Sequence, residues 1–288
     1  MPRFIPARMW AFIVISLLLL VVGCEKREWD KAREQNTISS YQAYLEKYPD
    51  GEHKERAHDL IVKLALSNAR TKNTVSAYEE FLERYPDAKR QRRQAILHLK
   101  NLVDLEVSRL TPGQIEKKQA VIETEFGTIR FRFFPDVAPN HCRNFIKLAR
   151  THFYDGLTFH QIIPDMEDAE TGSQTSIYWP NGLIRGGAPG GSLQGGPGYT
   201  ISQEFNDRPH IKGTVAMYRD KHPNSAGSQF YICLKPLPGL DGKYTVFGQV
   251  TDGMDVLEAI AKVPTSGPPM YRPREKVIIK RVYIRDQE

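Results

Sequence analysis

The spacing of apolar residues divides the chain into three parts. A run of apolar or small residues covers Met9–Val22. Residues 25–110 place apolar side chains at the three- and four-residue intervals of amphipathic helices. From residue 119 onward, short apolar runs are separated by glycine-rich turns, as in β-strands. The pattern therefore predicts an apolar N-terminal segment, a helical segment and a mainly β domain.

The helical segment contains a repeat. Four side chains of its first unit lie at positions i, i+3, i+4 and i+7, on one helix face: Tyr41, Tyr44, Leu45 and Tyr48. Tyr41 recurs as Tyr78, and Tyr48-Pro49-Asp50 recurs as Tyr85-Pro86-Asp87, an offset of 37 residues in both cases. Each proline ends a helix because it disfavours α backbone in the residue before it. A second stripe over residues 57–65 predicts a partner helix, so each unit is a helix pair that packs on its neighbour.

This repeat resembles the tetratricopeptide-like repeats of bacterial envelope lipoproteins. Two roles are open for residues 24–110. They form either a docking surface for another envelope protein or a spacer that lifts the next domain off a membrane. Thr111-Pro112-Gly113 interrupts the helical pattern and predicts a linker over residues 111–118.

Strand-like runs dominate the predicted domain at residues 119–288. They cover residues 120–124, 128–133, 158–163, 213–218, 228–234, 244–250 and 277–284. Only two helix patterns interrupt them, one of which begins at Pro139. Many strands with few helices favour a closed antiparallel barrel, because closure leaves no exposed sheet edge.

The N-terminus has the features of an export signal. Arg3 and Arg8 precede the apolar run, which fits a signal peptide and is short for a transmembrane helix. Val21-Val22-Gly23-Cys24 resembles a bacterial lipobox. The resemblance implies that residues 1–23 are removed and that lipid on Cys24 holds the protein at a membrane of the bacterial envelope, with its domains in the periplasm or outside. A short uncleaved anchor and cleavage by ordinary signal peptidase are the alternatives.

The choice between the two membranes is open at this point. Glu25 follows the cysteine, which favours the outer membrane by the enterobacterial sorting rule.

The other two cysteines, Cys142 and Cys233, lie within apolar patterns typical of small buried residues. Three cysteines in all do not make a disulfide scaffold.

The charge distribution argues against a nucleic-acid-binding protein. The chain has 40 Lys and Arg against 34 Asp and Glu, a net charge of +6. Residues 25–110 hold 17 basic and 15 acidic residues, and residues 111–288 hold 21 and 19, so each part carries only +2. Nucleic-acid binding normally concentrates basic residues on one face.

Common catalytic motifs are missing from the sequence. It contains neither the Gly-x-Ser-x-Gly nor the His-Glu-x-x-His pattern. The glycine-rich stretch at residues 186–198 is not followed by the Lys-Ser/Thr of a phosphate-binding loop. The acidic residues at 165–170 do not match a calcium loop, and the histidines form no close ligand pair. We therefore predict no metal and no cofactor.

The order of motifs in residues 119–286 resembles the cyclophilin family of peptidyl-prolyl cis-trans isomerases. The matching segments are Phe134-Pro135-Asp136-Val137-Ala138-Pro139, Phe153-Tyr154-Asp155-Gly156, Phe159-His160, Gly186-Gly187, Gly195-Gly196-Pro197-Gly198-Tyr199, Glu204-Phe205, Gly227-Ser228-Gln229-Phe230-Tyr231-Ile232 and Leu240-Asp241-Gly242-Lys243-Tyr244-Thr245-Val246-Phe247-Gly248. The resemblance implies an eight-stranded antiparallel barrel capped by two helices. It also implies a groove on the outer face that binds proline-containing segments of proteins.

Two catalytic positions depart from the family pattern. The family uses an Arg after the Phe-His pair to donate a hydrogen bond to the prolyl nitrogen, and a Gln before the double glycine to hold a carbonyl. Here Gln161 follows Phe159-His160, and Arg185 precedes Gly186-Gly187, so the two residue types are exchanged. Either Arg185 supplies the guanidinium from the opposite side of the groove, or the changes are unrelated and the site is weakened.

The resemblance implies further site residues. Gln229 is the third catalytic candidate, and the substrate-binding candidates are Phe159, His160, Leu183, Tyr218, Arg219, Tyr231, Leu240 and Tyr244. Tyr218 and Arg219 stand where Ala and Asn are usual and are expected to narrow the peptide channel. An insertion of about 14 residues, Glu167–Pro180, interrupts the proline slot, where Met166 and Trp179 are candidates for its missing Phe.

Two functions follow from this sequence. The first is an isomerase that assists the folding of exported proteins at a bacterial envelope, where slow prolyl steps limit folding. The second is a catalytically weakened adaptor or scaffold that binds proline segments. Gln161 and Arg185 pointing into one groove beside Gln229 and Tyr231 would favour the enzyme. Tyr218 or the insertion covering that groove would favour the adaptor.

Overall fold

The computed structural model describes residues 24–165 and 180–287. The predicted signal peptide, residues 1–23, and most of the predicted insertion, with Met166 and Trp179, lie outside the described residues. The chain divides into two compact units, with the boundary between Leu102 and Val103. In the part of the chain that is described, no helix is both long and apolar enough to cross a membrane.

The first unit repeats its local structure. Its helices are α1 (residues 24–35), α2 (Ile38–Lys47), α3 (Lys54–Lys72), α4 (Val75–Arg84) and most of α5 (Lys89–Ser108). Asn36 and Asn73 both adopt left-handed backbone, with φ of 45° and 48°. The residues that follow them, Thr37 and Thr74, cap α2 and α4 with side chains that accept backbone N–H groups. The 37-residue sequence repeat is therefore also a repeat of turns and caps.

The aromatic stripe of the first unit forms its core. Tyr41 and Tyr44 are buried, and their ring centroids lie 5.7 and 5.2 Å from that of Trp29. Ala57 and Ile61 of α3 pack in the same cluster. The prediction that this stripe packs as a helix-pair core is confirmed.

The second unit is a closed barrel of antiparallel strands. The strands are β1 (Lys118–Thr124), β2 (Thr128–Phe133), β3 (Thr158–Ile163), β4 (Leu183–Gly186), β5 (Thr214–Met217), β6 (Phe230–Cys233), β7 (Val246–Asp252) and β8 (Val277–Asp286). Their order around the barrel is β1-β2-β7-β5-β6-β4-β3-β8, and β8 pairs with β1 to close it. The predicted eight-stranded architecture is confirmed, although periodicity alone did not indicate β4, which is short and contains Arg185.

The barrel is covered by helices α7 (Pro139–Arg150) and α8 (Met254–Ala261). Helix α7 begins with Pro139 at its first turn, where a missing N–H costs nothing. Its Phe145 enters the barrel core, with ring centroids 5.1 Å from Phe131 and 5.6 Å from Phe247. Helix α7 packs against β7 and β8, and α8 against β2 and β3.

The predicted linker at residues 111–118 differs from the structure. It contains helix α6 (Pro112–Glu116), whose Thr111 and Gln114 form a capping box. Ile115 is fully buried, and Lys118 already begins β1. The segment belongs to the barrel unit because it is capped at its start and anchored by an apolar side chain.

Candidate active site

Three neighbouring strands place the catalytic candidates side by side. In the sheet register, Gln161 of β3 lies opposite Arg185 of β4, and Arg185 lies opposite Tyr231 of β6. Gln229 immediately precedes β6. Strand β4 is hydrogen-bonded on both sides, so the position of Arg185 is fixed by the barrel rather than by a loop.

The guanidinium of Arg185 connects these residues. Its Nε and Nη2 donate to Oε1 of Gln229 at 2.9 and 2.6 Å, and its Nη2 also donates to the backbone oxygen of Leu193 at 2.7 Å. Its Nη1 lies 3.4 Å from Oε1 of Gln161, the longest of these contacts. Gln229 is itself oriented, because its Nε2 donates to the backbone oxygen of Gly195 at 2.8 Å. The three predicted catalytic residues thus form one connected cluster.

The ring of Tyr218 covers this cluster. The guanidinium carbon of Arg185 lies 3.1 Å from the ring centroid, a cation–π arrangement. The hydroxyl of Tyr218 donates to Oδ1 of Asp220 at 3.2 Å. Arg185 is only 2% exposed as a result of this enclosure. Burial lowers the pKa of Arg185 to about 10, which leaves the guanidinium protonated at neutral pH.

Apolar groups lie beside the polar cluster. Leu183, Tyr231 and Leu240 are buried in one hydrophobic cluster, against which Tyr218 and Tyr244 pack while partly exposed. The Tyr231 and Tyr244 rings meet edge to face at 5.9 Å. These five side chains, all predicted as substrate-binding residues, therefore form one apolar cluster. Its exposed part, at Tyr218 and Tyr244, is an apolar surface.

The hydroxyl of Tyr231 is held by buried His210, which is itself paired with Asp241 at the surface. Nδ1 of His210 donates to Oδ1 of Asp241 at 2.8 Å. Nε2 of the same ring then accepts from the Tyr231 hydroxyl at 2.9 Å. This pairing gives the hydroxyl of Tyr231 a partner inside the otherwise apolar cluster. The sequence analysis did not identify His210, and the only signal for it was a histidine between two strand-like runs.

Three other predicted site residues lie elsewhere. Phe159 is fully buried in the barrel, with its ring centroid 6.1 Å from that of Phe230, so it packs in the core rather than beside the Arg185 cluster. Its side chain turns inward because β3 alternates faces at this point. Arg219 lies over the Tyr244 ring at 4.7 Å, and its Nε donates to the backbone oxygen of Lys243. It borders the apolar surface from outside.

His160 is also separate from the Arg185 hydrogen bonds. It is 3% exposed and lines a cavity whose wall does not include Gln161, Arg185 or Gln229. Burial, together with the positive charge of Arg185, lowers the pKa of His160 to about 4. Its imidazole is therefore neutral at physiological pH.

The loop before β8 supplies residues that the sequence analysis missed. Nε2 of Gln161 donates to the backbone oxygen of Met270 at 3.2 Å. Tyr271 is 2% exposed and belongs to the same apolar cluster as Tyr231 and Leu183. This loop matched none of the family motifs, so nothing in the sequence connected it to the site.

The chemistry available here is noncovalent. The cluster offers a protonated guanidinium, two amide side chains and an apolar surface, which together suit the stabilisation of an uncharged amide during rotation. Among residues 24–165 and 180–287, no three His, Cys, Asp or Glu side chains are grouped so as to hold a metal ion.

Known proteins share this domain. In sequence, the chain is similar to a peptidyl-prolyl cis-trans isomerase of Synechococcus elongatus, with 47% identity over 134 residues, which are 46% of this chain and 81% of the relative. It is also similar to peptidyl-prolyl cis-trans isomerase B of Bacillus subtilis, with 40% identity over 129 residues, 44% of this chain and 78% of the relative.

The fold has a solved counterpart. A cyclophilin type peptidyl-prolyl cis-trans isomerase of Cryptosporidium parvum is 28% identical and covers 59% of this chain and 99% of its own, with a TM-score of 0.51. The family model described as cyclophilin type peptidyl-prolyl cis-trans isomerase/CLD matches residues 120–284. This match covers more than half of the chain. The chain therefore belongs to the cyclophilin-type peptidyl-prolyl cis-trans isomerases.

Proposed function

We propose that this isomerase acts on exported proteins at a bacterial envelope and that Arg185 is its catalytic guanidinium. The observation that carries the catalytic part of this proposal is the contact of Arg185 with both Gln161 and Gln229 on one patch of the barrel, and the lipobox resemblance at Cys24 carries the envelope part. The exchange of Arg and Gln between β3 and β4 then preserves the composition of the site. The exchange places the positive charge on β4 instead of β3.

The chemistry explains why a guanidinium is needed. Rotation of a peptide bond faces a barrier of about 18–20 kcal/mol because resonance is lost. In the twisted state the prolyl nitrogen regains a lone pair, which can accept a hydrogen bond. Nη1 of Arg185 is the donor most easily redirected to that nitrogen, since its contact with Gln161 is the longest that the guanidinium makes. Gln229 keeps the remainder of the group in place.

The position of Tyr218 favours a second function. Its ring stacks on one face of the guanidinium, so a substrate can reach that face only if the ring moves. If the ring stays there, residues 119–287 bind proline segments on the apolar surface and isomerise them slowly. The alternative function is accordingly an adaptor or scaffold with weak activity.

The test is prolyl isomerisation by the purified full chain, measured by NMR exchange on a panel of X-Pro peptides. Losing one charge-assisted hydrogen bond costs about 1.5–3 kcal/mol, so Arg185→Ala should lower kcat/KM roughly 10- to 100-fold. The matched control is Arg130→Ala, which removes from β2 a guanidinium that is paired with Asp252 of β7. An unchanged rate in Arg185→Ala would refute the catalytic role. A background rate in the folded wild type would establish the adaptor.

The anchoring proposal concerns Cys24. Its thiol is free and exposed, and it lies where the lipobox resemblance requires the lipid. Mass spectrometry of the N-terminal peptide from membranes of the producing bacterium should find a diacylglycerol-modified Cys24. An unmodified thiol, or a peptide that still contains residues 1–23, would refute the lipoprotein.

For the first unit we propose a spacer between the lipid and the barrel. Two repeated helix pairs make a short array, which is consistent with separation rather than with an extended binding surface. Cross-linking in the intact envelope tests this. Specific capture of an envelope protein through residues 24–102 would instead establish the docking role.

A further inference from the structure

A second cavity lies on the barrel beside β3 and β8. It has a volume of about 350 Å³. Its wall includes His160 of β3, Arg272 and Lys276 from the segment before β8, and the backbone of Gly190 and Gly191. The catalytic candidates Gln161, Arg185 and Gln229 do not line it.

The electrostatic character of this cavity is positive. Arg272 and Lys276 are exposed, and within the described part of the chain neither forms an ion pair with a carboxylate. The residues that form the wall include no Asp or Glu. A concave surface with charges of one sign attracts ligands of the other sign.

His160 adds a buried polar group. It is 3% exposed, and neither ring nitrogen completes a hydrogen bond within residues 24–165 and 180–287. Thr158 and Gln229 approach the ring without reaching hydrogen-bond geometry. Buried polar atoms in native structures normally have a partner. The neutral imidazole therefore has an N–H without a partner among the described residues, at the wall of this cavity.

The glycines keep the cavity open. Gly190 and Gly191 both have left-handed backbone, with φ of 72° and 66°. A Cβ on Gly191 would approach Oγ1 of Thr158 to 3.2 Å. Larger residues at these positions would be strained and would narrow the space beside His160.

We propose that this cavity binds an oxyanion, either a phosphate or a carboxylate group. The two exposed cations supply charge, and the His160 N–H supplies a buried donor that fixes the position of one oxygen. None of the three polar side chains of this site takes part in the Arg185 hydrogen bonds, so anion binding can be measured separately from isomerase activity.

The experiment is calorimetric titration of the full chain with inorganic phosphate and, separately, with acetate, each at constant ionic strength in chloride. We expect saturable binding that weakens roughly fivefold in both Arg272→Gln and Lys276→Gln. The control is Lys280→Gln, which removes the same charge from an exposed position on β8 outside the cavity wall. In NMR spectra, addition of the bound anion should shift the ring resonance of His160.

Each outcome decides the proposal. Binding of phosphate alone identifies a phosphoryl ligand, binding of acetate alone identifies a carboxylate, and binding of both identifies a general oxyanion site. The proposal is overturned if neither anion binds saturably, if Lys280→Gln weakens binding as much as Arg272→Gln, or if the His160 resonance does not move.

Discussion

Gln229 holds Arg185 through a single oxygen, which accepts from Nε at 2.9 Å and from Nη2 at 2.6 Å. Two hydrogen bonds to one acceptor fix the plane of the guanidinium as well as its position. Gln229 in turn donates to the backbone of Gly195, so the loop after β4 determines where the charge points. The charge of Arg185 depends on this support because the residue is almost completely buried.

We predict that Gln229→Ala lowers isomerase activity although Arg185 remains. Without its acceptor the guanidinium can leave its position, and a buried donor that loses its partner costs about 1–3 kcal/mol of stability. The measurements are kcat/KM on an X-Pro peptide and the urea midpoint. A variant with wild-type kcat/KM would show that Gln229 does not position Arg185.

We predict that Tyr218→Ala raises kcat/KM. The stacking of Tyr218 on Arg185 is expected to contribute about 0.5–2 kcal/mol. Because a substrate no longer competes with the ring once it is removed, kcat/KM should rise roughly two- to thirtyfold. Tyr218→Phe is the matched control, because it keeps the ring over the guanidinium and removes the hydroxyl, which donates to Asp220. A fall in activity for Tyr218→Ala, with Tyr218→Phe unchanged, would instead make the ring part of the substrate surface.

Sequence reasoning predicted the parts of this molecule that depend on periodic patterns and ordered motifs. The alternation in β2 and the repeated Tyr-Pro-Asp ends of the helices are local signals, and each produced the expected element. The exchange of Arg and Gln between positions 161 and 185 was visible from the family resemblance. In the structure the two residues pair directly across β3 and β4.

Other features depend on contacts that no local pattern encodes. His210 forms hydrogen bonds with Tyr231 and Asp241, which lie 21 and 31 residues away in the sequence. No local sequence pattern links these three positions. The placement of Tyr218 over Arg185 depends on a side-chain rotamer. Tyr271 comes from a loop without regular periodicity. Helix α6 was read as a linker because its proline and glycine suggest a break, although they lie within its first turn.

We predict that Tyr231→Phe is less stable than the wild type but almost equally active. The substitution keeps the ring that packs beside Tyr244 and removes only the hydroxyl. Nε2 of His210 would then be buried without its partner, at a cost of about 1–3 kcal/mol. Urea denaturation and the isomerase assay separate the two effects. A large fall in activity at unchanged stability would place the hydroxyl in catalysis.

We predict that His160 makes the barrel less stable in acid. Its pKa of about 4 lies below the ordinary value of 6.5, so between these values the unfolded chain binds a proton that the folded chain excludes. Stability is therefore fully present above about pH 6.5 and is lost as the pH falls toward 4, by on the order of 3 kcal/mol for this group. Urea midpoints across this range measure the slope. His160→Gln should flatten it, whereas His222→Gln, which removes an exposed histidine of the same unit, should leave it unchanged. Equal slopes in the wild type and His160→Gln would mean that the imidazole accepts its proton in the folded barrel as readily as in the unfolded chain.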